Sequence, residues 1–533
     1  MSVANSSSQV GAEPFAIRGI KGLWWDGIAN YNEALTWLVE QKLNFLMLCY
    51  TSFAASAGNW RSDYTPDEKE QIRDLAARAE AMGVNLCLAV NPSQYSEPPL
   101  VYASEEDYLI LQRKLAGMQA IGVRWFALCL DDITRRLEPA DSKEFGDLQS
   151  AHVWLVNRLL TDMRLLTPQP KLMFCPSAYT TYDAEVHPDY LRAIGDGIDP
   201  GVMIFWTGPI AYSPTITVDD AERFGALVRR KPFLWDNYPV NDFYAWRPCL
   251  APLKNRSAEL GRVVSGYVAN PMKQWHASCI PLATAAAYLR DPGAYDPSEA
   301  MEQVVDSYTD DQRPAVRLLL ELYGGSFCGE ADFPRKPPLS NAAEAGKALP
   351  KYRLLRVLLS GVPALGGLCE DLRLTLERDI ALLERTVAGK GATGWPVRLT
   401  GLDFDSGGAA DFGYGRYGRT VNYIYARPTG REEMRAEFHI PVAPGNGAVL
   451  RLVARNGDGG PRARVQIVLN EWMAADSEQV FSGEDFEQWS WQIPDGVLSE
   501  GHNVITIRSV DMNGKLGEHP WFMLAEAEIA PLK

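Results

Sequence analysis

Positive charge is the first thing in short supply. The 533 residues hold 52 Lys and Arg against 67 Asp and Glu, a formal net charge of −15. A phosphate backbone or an anionic membrane surface asks for the opposite balance, so neither nucleic acid nor membrane is an expected partner. No stretch approaches the roughly 18 uninterrupted apolar residues of a transmembrane helix. The opening MSVANSSSQVGAEPF has no basic n-region and no apolar h-region, so no secretory signal is expected. The eight cysteines stand singly without a Cys-x-x-Cys pair, and the six histidines show no metal-ligand spacing. These absences predict free thiols in a reducing, cytoplasmic compartment, with no disulfide framework, no metal and no cofactor. No Gly-rich phosphate loop and no internal repeat is visible.

What is present is an ordinary globular composition, 46% hydrophobic and 22% charged, which excludes disorder for most of the chain. At roughly 150 residues per domain, the length suits three or four domains, or one large barrel with additions. Residues 16–272 have a rhythm of eight short apolar runs: 16–23, 44–50, 85–92, 124–132, 171–177, 202–208, 231–239 and 266–272. They are too short for buried helices and rich in β-formers, and amphipathic stretches such as 31–41 and 65–83 lie between them. The second stretch opens on Thr65, Pro66 and acidic residues, a helix-start signature. Eight alternating units predict an α/β fold, a (β/α)8 TIM barrel over 16–275 behind a tail at 1–15. A doubly wound sheet would alternate similarly, but the count of eight favours the barrel. A helical segment is expected at 276–400. Over 401–533 the period drops to two, predicting a C-terminal β-sandwich, an accessory or carbohydrate-binding module.

A TIM barrel places its active site at the C-terminal ends of its strands. Those ends supply Asp131-Asp132, Cys175-Pro-Ser-Ala-Tyr179, Trp206-Thr207-Gly208-Pro209, Trp235-Asp236-Asn237-Tyr238-Pro239 with Asn241-Asp242, and Asn270-Pro271-Met272. Paired carboxylates, amides and aromatic walls compose a pocket for a polyhydroxylated ligand. Adjacent carboxylates raise each other's pKa, as a general acid near neutrality requires. Simpler roles compete: either Asp as a helix cap, Trp206 and Trp235 as packing, Asn237 and Asn270 as turn formers.

Taken in order, Asp131-Asp132-Ile133, Phe-Cys-Pro-Ser-Ala-Tyr, Trp-Thr-Gly-Pro, Trp-Asp-Asn-Tyr-Pro-Val-Asn-Asp and Ala-Asn-Pro-Met resemble the glycoside hydrolase family 84 O-GlcNAcases, over about residues 16–275. The resemblance implies removal of terminal β-linked N-acetylglucosamine by substrate-assisted, retaining hydrolysis through an oxazoline, an exception to the two-carboxylate retaining scheme. It implies that Asp131 orients the acetamido group and that Asp132 is the acid and base. Tyr179, Thr207 and Trp235 match an acetyl pocket, Asn237 a position beside the acid, and Asp242, Asn270 and the Gly22 backbone sugar-hydroxyl contacts. The implied partner is an N-acetylglucosamine-bearing glycoconjugate or glycoprotein, and a homodimer through the helical segment is one arrangement the family uses. Two departures stand out. Strand 1 reads Lys21-Gly22-Leu23-Trp24-Trp25 where the family has Glu-Gly-Phe-Tyr-Gly, and the family's lysine after strand 2 has no counterpart in Cys49-Tyr50-Thr51-Ser52. A hyaluronidase-like or other N-acetylhexosaminidase, and a sugar-binding protein without turnover, are the alternative functions.

Overall fold

The computed structural model describes residues 15–22, 25–93, 98–133, 136–166, 169–242, 247–325, 337–338, 342–388, 395–406, 421–457, 461–476, 481, 485–514 and 520–532. The chain forms two compact units, Met1–Val240 with Pro248–Asp332, and Asn241–Arg247 with Phe333–Lys533.

In the first unit eight parallel strands close into a barrel in sequence order. They are β1 (Arg18–Gly22), β2 (Phe45–Leu48), β3 (Asn85–Val90), β4 (Trp125–Cys129), β5 (Lys171–Cys175), β6 (Met203–Trp206), β7 (Phe233–Pro239) and β8 (Gly266–Asn270). Closure is made by β8 on β1, with Gly19 opposite Val268 and Ile20 opposite Ala269. Each of the eight apolar runs contains one of these strands.

The helix Pro66–Ala81 begins as its residues dictate. The Thr65 hydroxyl accepts from the Glu68 amide at 3.2 Å, and the Glu68 carboxylate accepts from the Thr65 amide at 2.7 Å. Pro66 occupies a first-turn position where no amide hydrogen is needed. Its buried stripe is Ile72, Leu75, Ala76 and Ala79, spaced at three and four.

Successive side chains in a strand point to opposite faces. Inside the barrel, Phe45, Met47, Cys87, Ala89, Ala127, Cys129, Met173, Phe205 and Phe233 pack together, so the lumen is filled below the strand ends. The alternate residues Leu46, Leu48, Leu88, Phe126, Leu128 and Phe174 are buried on the other face. Helices Trp275–Arg290, Pro297–Asp306 and Arg313–Tyr323 complete this unit.

The second unit has helices Ala342–Gly361 and Gly366–Ala388, and Arg247 forms a buried ion pair with Asp379 at 2.5 Å. Its strands are β9 (Val397–Thr400), β10 (Asn422–Tyr425), β11 (Glu433–Ile440), β12 (Ala448–Asn456), β13 (Val465–Leu469), β14 (Trp472–Ala475), β15 (Glu487–Ile493), β16 (Gly501–Ser509) and β17 (Trp521–Pro531). One antiparallel sheet runs β10-β17-β12-β15 with β9 on β17, the other β11-β16-β13-β14, and their inner faces share one apolar core. This is the expected C-terminal sandwich. In β17 the Ala-Glu-Ala-Glu stretch alternates as a strand does but has helix-forming composition, and pairing with β9, β10 and β12 overrides that composition. The seven described cysteines are free, and among the described residues no single helix is long and apolar enough to cross a membrane.

Candidate active site

On β4 the inward residues are Trp125, Ala127 and Cys129, and the same alternation carries Asp131 to the mouth of the lumen. There it is buried. The Tyr50 hydroxyl, just beyond β2, donates to Asp131 Oδ2 at 2.8 Å. Oδ1 is equally buried and accepts no hydrogen bond. Burial pushes the Asp131 carboxyl up to about 6, helped by the Asp132 charge and opposed by the Lys21 ammonium and the Tyr50 hydrogen bond. It is therefore ionised above pH 6, held there against burial by a phenol and a cation.

Asp132 is exposed, and its backbone adopts φ +52°. A left-handed conformation costs a side-chain-bearing residue about 1–2 kcal/mol, and such strain collects at functional sites. The Tyr179 hydroxyl, beyond β5, donates to Asp132 Oδ1 at 2.8 Å. Burial and the two carboxylates push the Tyr179 phenol far above its ordinary value, so it stays protonated as a donor. Neither Asp caps a helix: the next one, Pro139–Phe145, has Glu138 at its N-cap.

The remaining candidates divide by strand periodicity. Trp235 and Asn237 share the inner face of β7, whereas Asp236 points outward. It meets Arg256 at 2.8 and 2.9 Å and accepts from the Tyr267 hydroxyl at 2.7 Å, a wholly buried structural pair. The Asn237 side-chain oxygen accepts from the Trp235 indole at 3.0 Å and from the Asn270 amide at 2.8 Å, and the Asn237 amide donates to the Ala211 carbonyl at 2.7 Å. Asn237 is thus a strand residue in a network, not a turn former. Thr207 is buried beyond β6, and its backbone amide donates to the Tyr179 carbonyl at 3.0 Å. Trp206 faces the other way, its indole donating to Thr181 at 3.1 Å, and is packing. The Gly22 carbonyl accepts from the Tyr31 hydroxyl at 2.9 Å, and any side chain at Gly22 would overlap Tyr31 and the Trp25 ring. Asp242 is partly buried and belongs to the second unit.

Three residues at this mouth are absent from the sequence-based set. Tyr50 grips Asp131. Asn91, buried beyond β3, reaches the Asp131 carbonyl at 3.5 Å. Lys21 is buried inside the barrel with its ammonium 3.5 Å from the centre of the Trp235 ring. The available signals were a tyrosine closing the second run and a lysine interrupting the first.

Buried polar groups in native structures are almost always hydrogen-bonded. Here Asp131 Oδ1, Thr207 Oγ1, Asn270 Oδ1 and Lys21 Nζ are not. Three of the four can accept hydrogen bonds, the complement of a ligand rich in O–H and N–H donors. Among the described residues no group of three or more His, Cys, Asp or Glu converges to hold a metal ion.

Comparison with known proteins agrees with this geometry. A family model for beta-N-acetylglucosaminidase matches residues 19–321. Protein O-GlcNAcase of Rattus norvegicus is 28% identical over 284 residues, 53% of this chain, and the Mus musculus protein matches equally. The chain spans about 30% of the length of those relatives. A solved mutant of the Thermobaculum terrenum O-GlcNAc hydrolase shares the fold, with a TM-score of 0.62 and 23% identity over 70% of this chain and 83% of that one. With more than half its length matched, strand ends included, the chain belongs to the beta-N-acetylglucosaminidase family, the glycoside hydrolase family 84 that its motifs resemble.

Proposed function

We propose that the barrel hydrolyses terminal β-linked N-acetylglucosamine from glycoconjugates, glycoproteins among them, with retention and with the substrate's own acetamido oxygen as nucleophile. The observation that carries this reading is the division between the carboxylates: Asp131 buried with an open acceptor oxygen, Asp132 exposed at the rim. The acetamido oxygen attacks C1 as the C1–O bond to the leaving group breaks, closing an oxazoline ring whose nitrogen gains positive charge. An ionised, buried Asp131 accepts that N–H and stabilises the charge, because a low-dielectric site strengthens the attraction. The leaving oxygen faces solvent, where Asp132 gives it a proton and then takes one from the water that opens the ring. Tyr179 holds Asp132 in place for both transfers. Thr207 and Trp235 suit the acetyl group, and Asn270, whose side-chain oxygen is open, suits a sugar hydroxyl, with Asn237 holding the Asn270 amide. The names of the rat, mouse and Thermobaculum relatives support this substrate class.

The test is hydrolysis of an aryl β-N-acetylglucosaminide by the native chain beside Asp132→Asn and Asp131→Ala. Turnover is expected in the native chain, with a loss of about 10²–10⁴-fold in Asp132→Asn, the usual worth of a positioned proton donor. Inhibition by a thiazoline that mimics the oxazoline should vanish in Asp131→Ala. Sugar binding without turnover of this or the β-N-acetylgalactosaminide would instead identify a binding protein.

A further inference from the structure

Lysine is almost never fully buried unless paired, yet Lys21 is buried on a strand of five residues, all of them buried. Its register decides its direction: Gly19 lies opposite Phe45 and Lys21 opposite Met47, and Phe45 and Met47 both belong to the lumen core. The ammonium therefore enters the lumen. It stands 3.5 Å from the centre of the Trp235 ring and 5.8 Å from that of Tyr50, and it has no hydrogen-bond partner. Two aromatic faces replace part of its lost hydration. Tyr50 links it to the carboxylates, turning its ring to Lys21 and its hydroxyl to Asp131.

We propose that Lys21 is a positioning residue for Asp131, an internal countercharge that β1 carries beneath the carboxylate pair. The proposal rests on the hydrolase reading for its consequence and on the barrel geometry for its existence. The groups facing Asp131 are Asp132 on the same connection, Tyr50 beyond β2, Tyr179 beyond β5, the thiols of Cys129 and Cys175, and Lys21. Of the groups that chiefly set the charge of Asp131, Lys21 is the cation. Burial and Asp132 both favour the protonated carboxyl; Lys21 and Tyr50 oppose them. A protonated Asp131 cannot stabilise the positive charge that develops on the acetamido nitrogen, so Lys21, together with Tyr50, lowers the pH below which the site stops working.

The experiment compares Lys21→Met, Lys21→Gln and Lys21→Arg with the native protein, each checked for fold by circular dichroism and thermal melting. With the aryl β-N-acetylglucosaminide, the acid limb of kcat/KM should move upward by about one to two pH units in Lys21→Met and Lys21→Gln, the usual effect of one nearby charge. At neutral pH kcat/KM should fall about two- to tenfold, and the difference should close at alkaline pH. Lys21→Arg should keep the native limb. An unmoved limb with a uniform loss would overturn the proposal, because a merely structural lysine lowers activity equally at every pH.

A second measurement reads Asp131 without turnover. Carbon-13 NMR titration of aspartate carboxyls in Asp132→Asn, with and without Lys21→Met, should show the Asp131 midpoint rising, the signal being assigned by its loss in Asp131→Asn. A rise, together with no turnover by the native chain, sinks the hydrolase reading and keeps Lys21. Turnover with an unmoved midpoint does the reverse.

Discussion

Asp131 shows how few contacts decide whether a carboxylate can work. Its oxygens are treated unequally: Oδ2 takes the Tyr50 hydroxyl at 2.8 Å, and Oδ1 is left open. The Tyr50 bond favours the charged form, so Tyr50→Phe should raise the Asp131 pKa from about 6. The ionised form is the active one, so activity should fall severalfold at the acid edge of the profile and change little well above it. A kcat/KM profile of Tyr50→Phe checks this, and an equal loss at both ends would count against it. The pair Asp131-Asp132 was legible in the sequence because two carboxylates ending an apolar strand are conspicuous. Tyr50 and Lys21 were not, since each is one polar group in a run otherwise read as core, and only the register shows that Lys21 enters the lumen. The lost lysine after strand 2 was legible as an absence, but the cation on strand 1 was seen only as a departure.

Strands in this barrel act as rulers with a period of two, and the ruler separates chemistry from scaffolding. Along β7 it sends Trp235 and Asn237 inward and Asp236 outward, although all three stand together in sequence. The outward carboxylate binds Arg256 and the Tyr267 hydroxyl and ties β7 to its neighbour β8. Breaking a buried ion pair by removing one partner typically costs about 3–5 kcal/mol, because the other charge stays buried. Asp236→Ala should therefore lower the denaturant midpoint by a corresponding amount, whereas Asp132→Asn, at an exposed position, should leave it nearly unchanged. Equal midpoints in the two variants would argue against the division. The barrel strands were readable because each is a compact apolar run between helix signals, and Thr65 with Glu68 announced its helix outright. The sandwich was readable where residues alternate, as in β12 and β15. It was least marked at β17, whose helix-forming composition yields to three strand partners.

A strained, half-satisfied site draws on the stability of the fold that holds it, and Asp131 lets that cost be counted. Its carboxyl titrates near 6 in the folded chain against 3.8 ordinarily. A difference of about two pH units corresponds to about 3 kcal/mol. Well below pH 4 the carboxyl is neutral in the folded and unfolded chains alike, and its burial imposes no charge penalty. As pH rises through this window the unfolded chain ionises first, so folding loses stability. Above about 6 the full penalty of up to about 3 kcal/mol is present. Asparagine imitates the neutral carboxyl at every pH and can still accept from Tyr50. Asp131→Asn should then abolish turnover while raising the unfolding temperature at neutral pH, and the gain should disappear under acid conditions. Thermal unfolding of the two proteins at neutral and acid pH measures this directly. A gain of the same size at both would trace it to packing. A gain confined to neutral pH would mean that the native chain keeps a destabilising charge in its lumen because the reaction requires it, an exchange of stability for function that natural active sites commonly make.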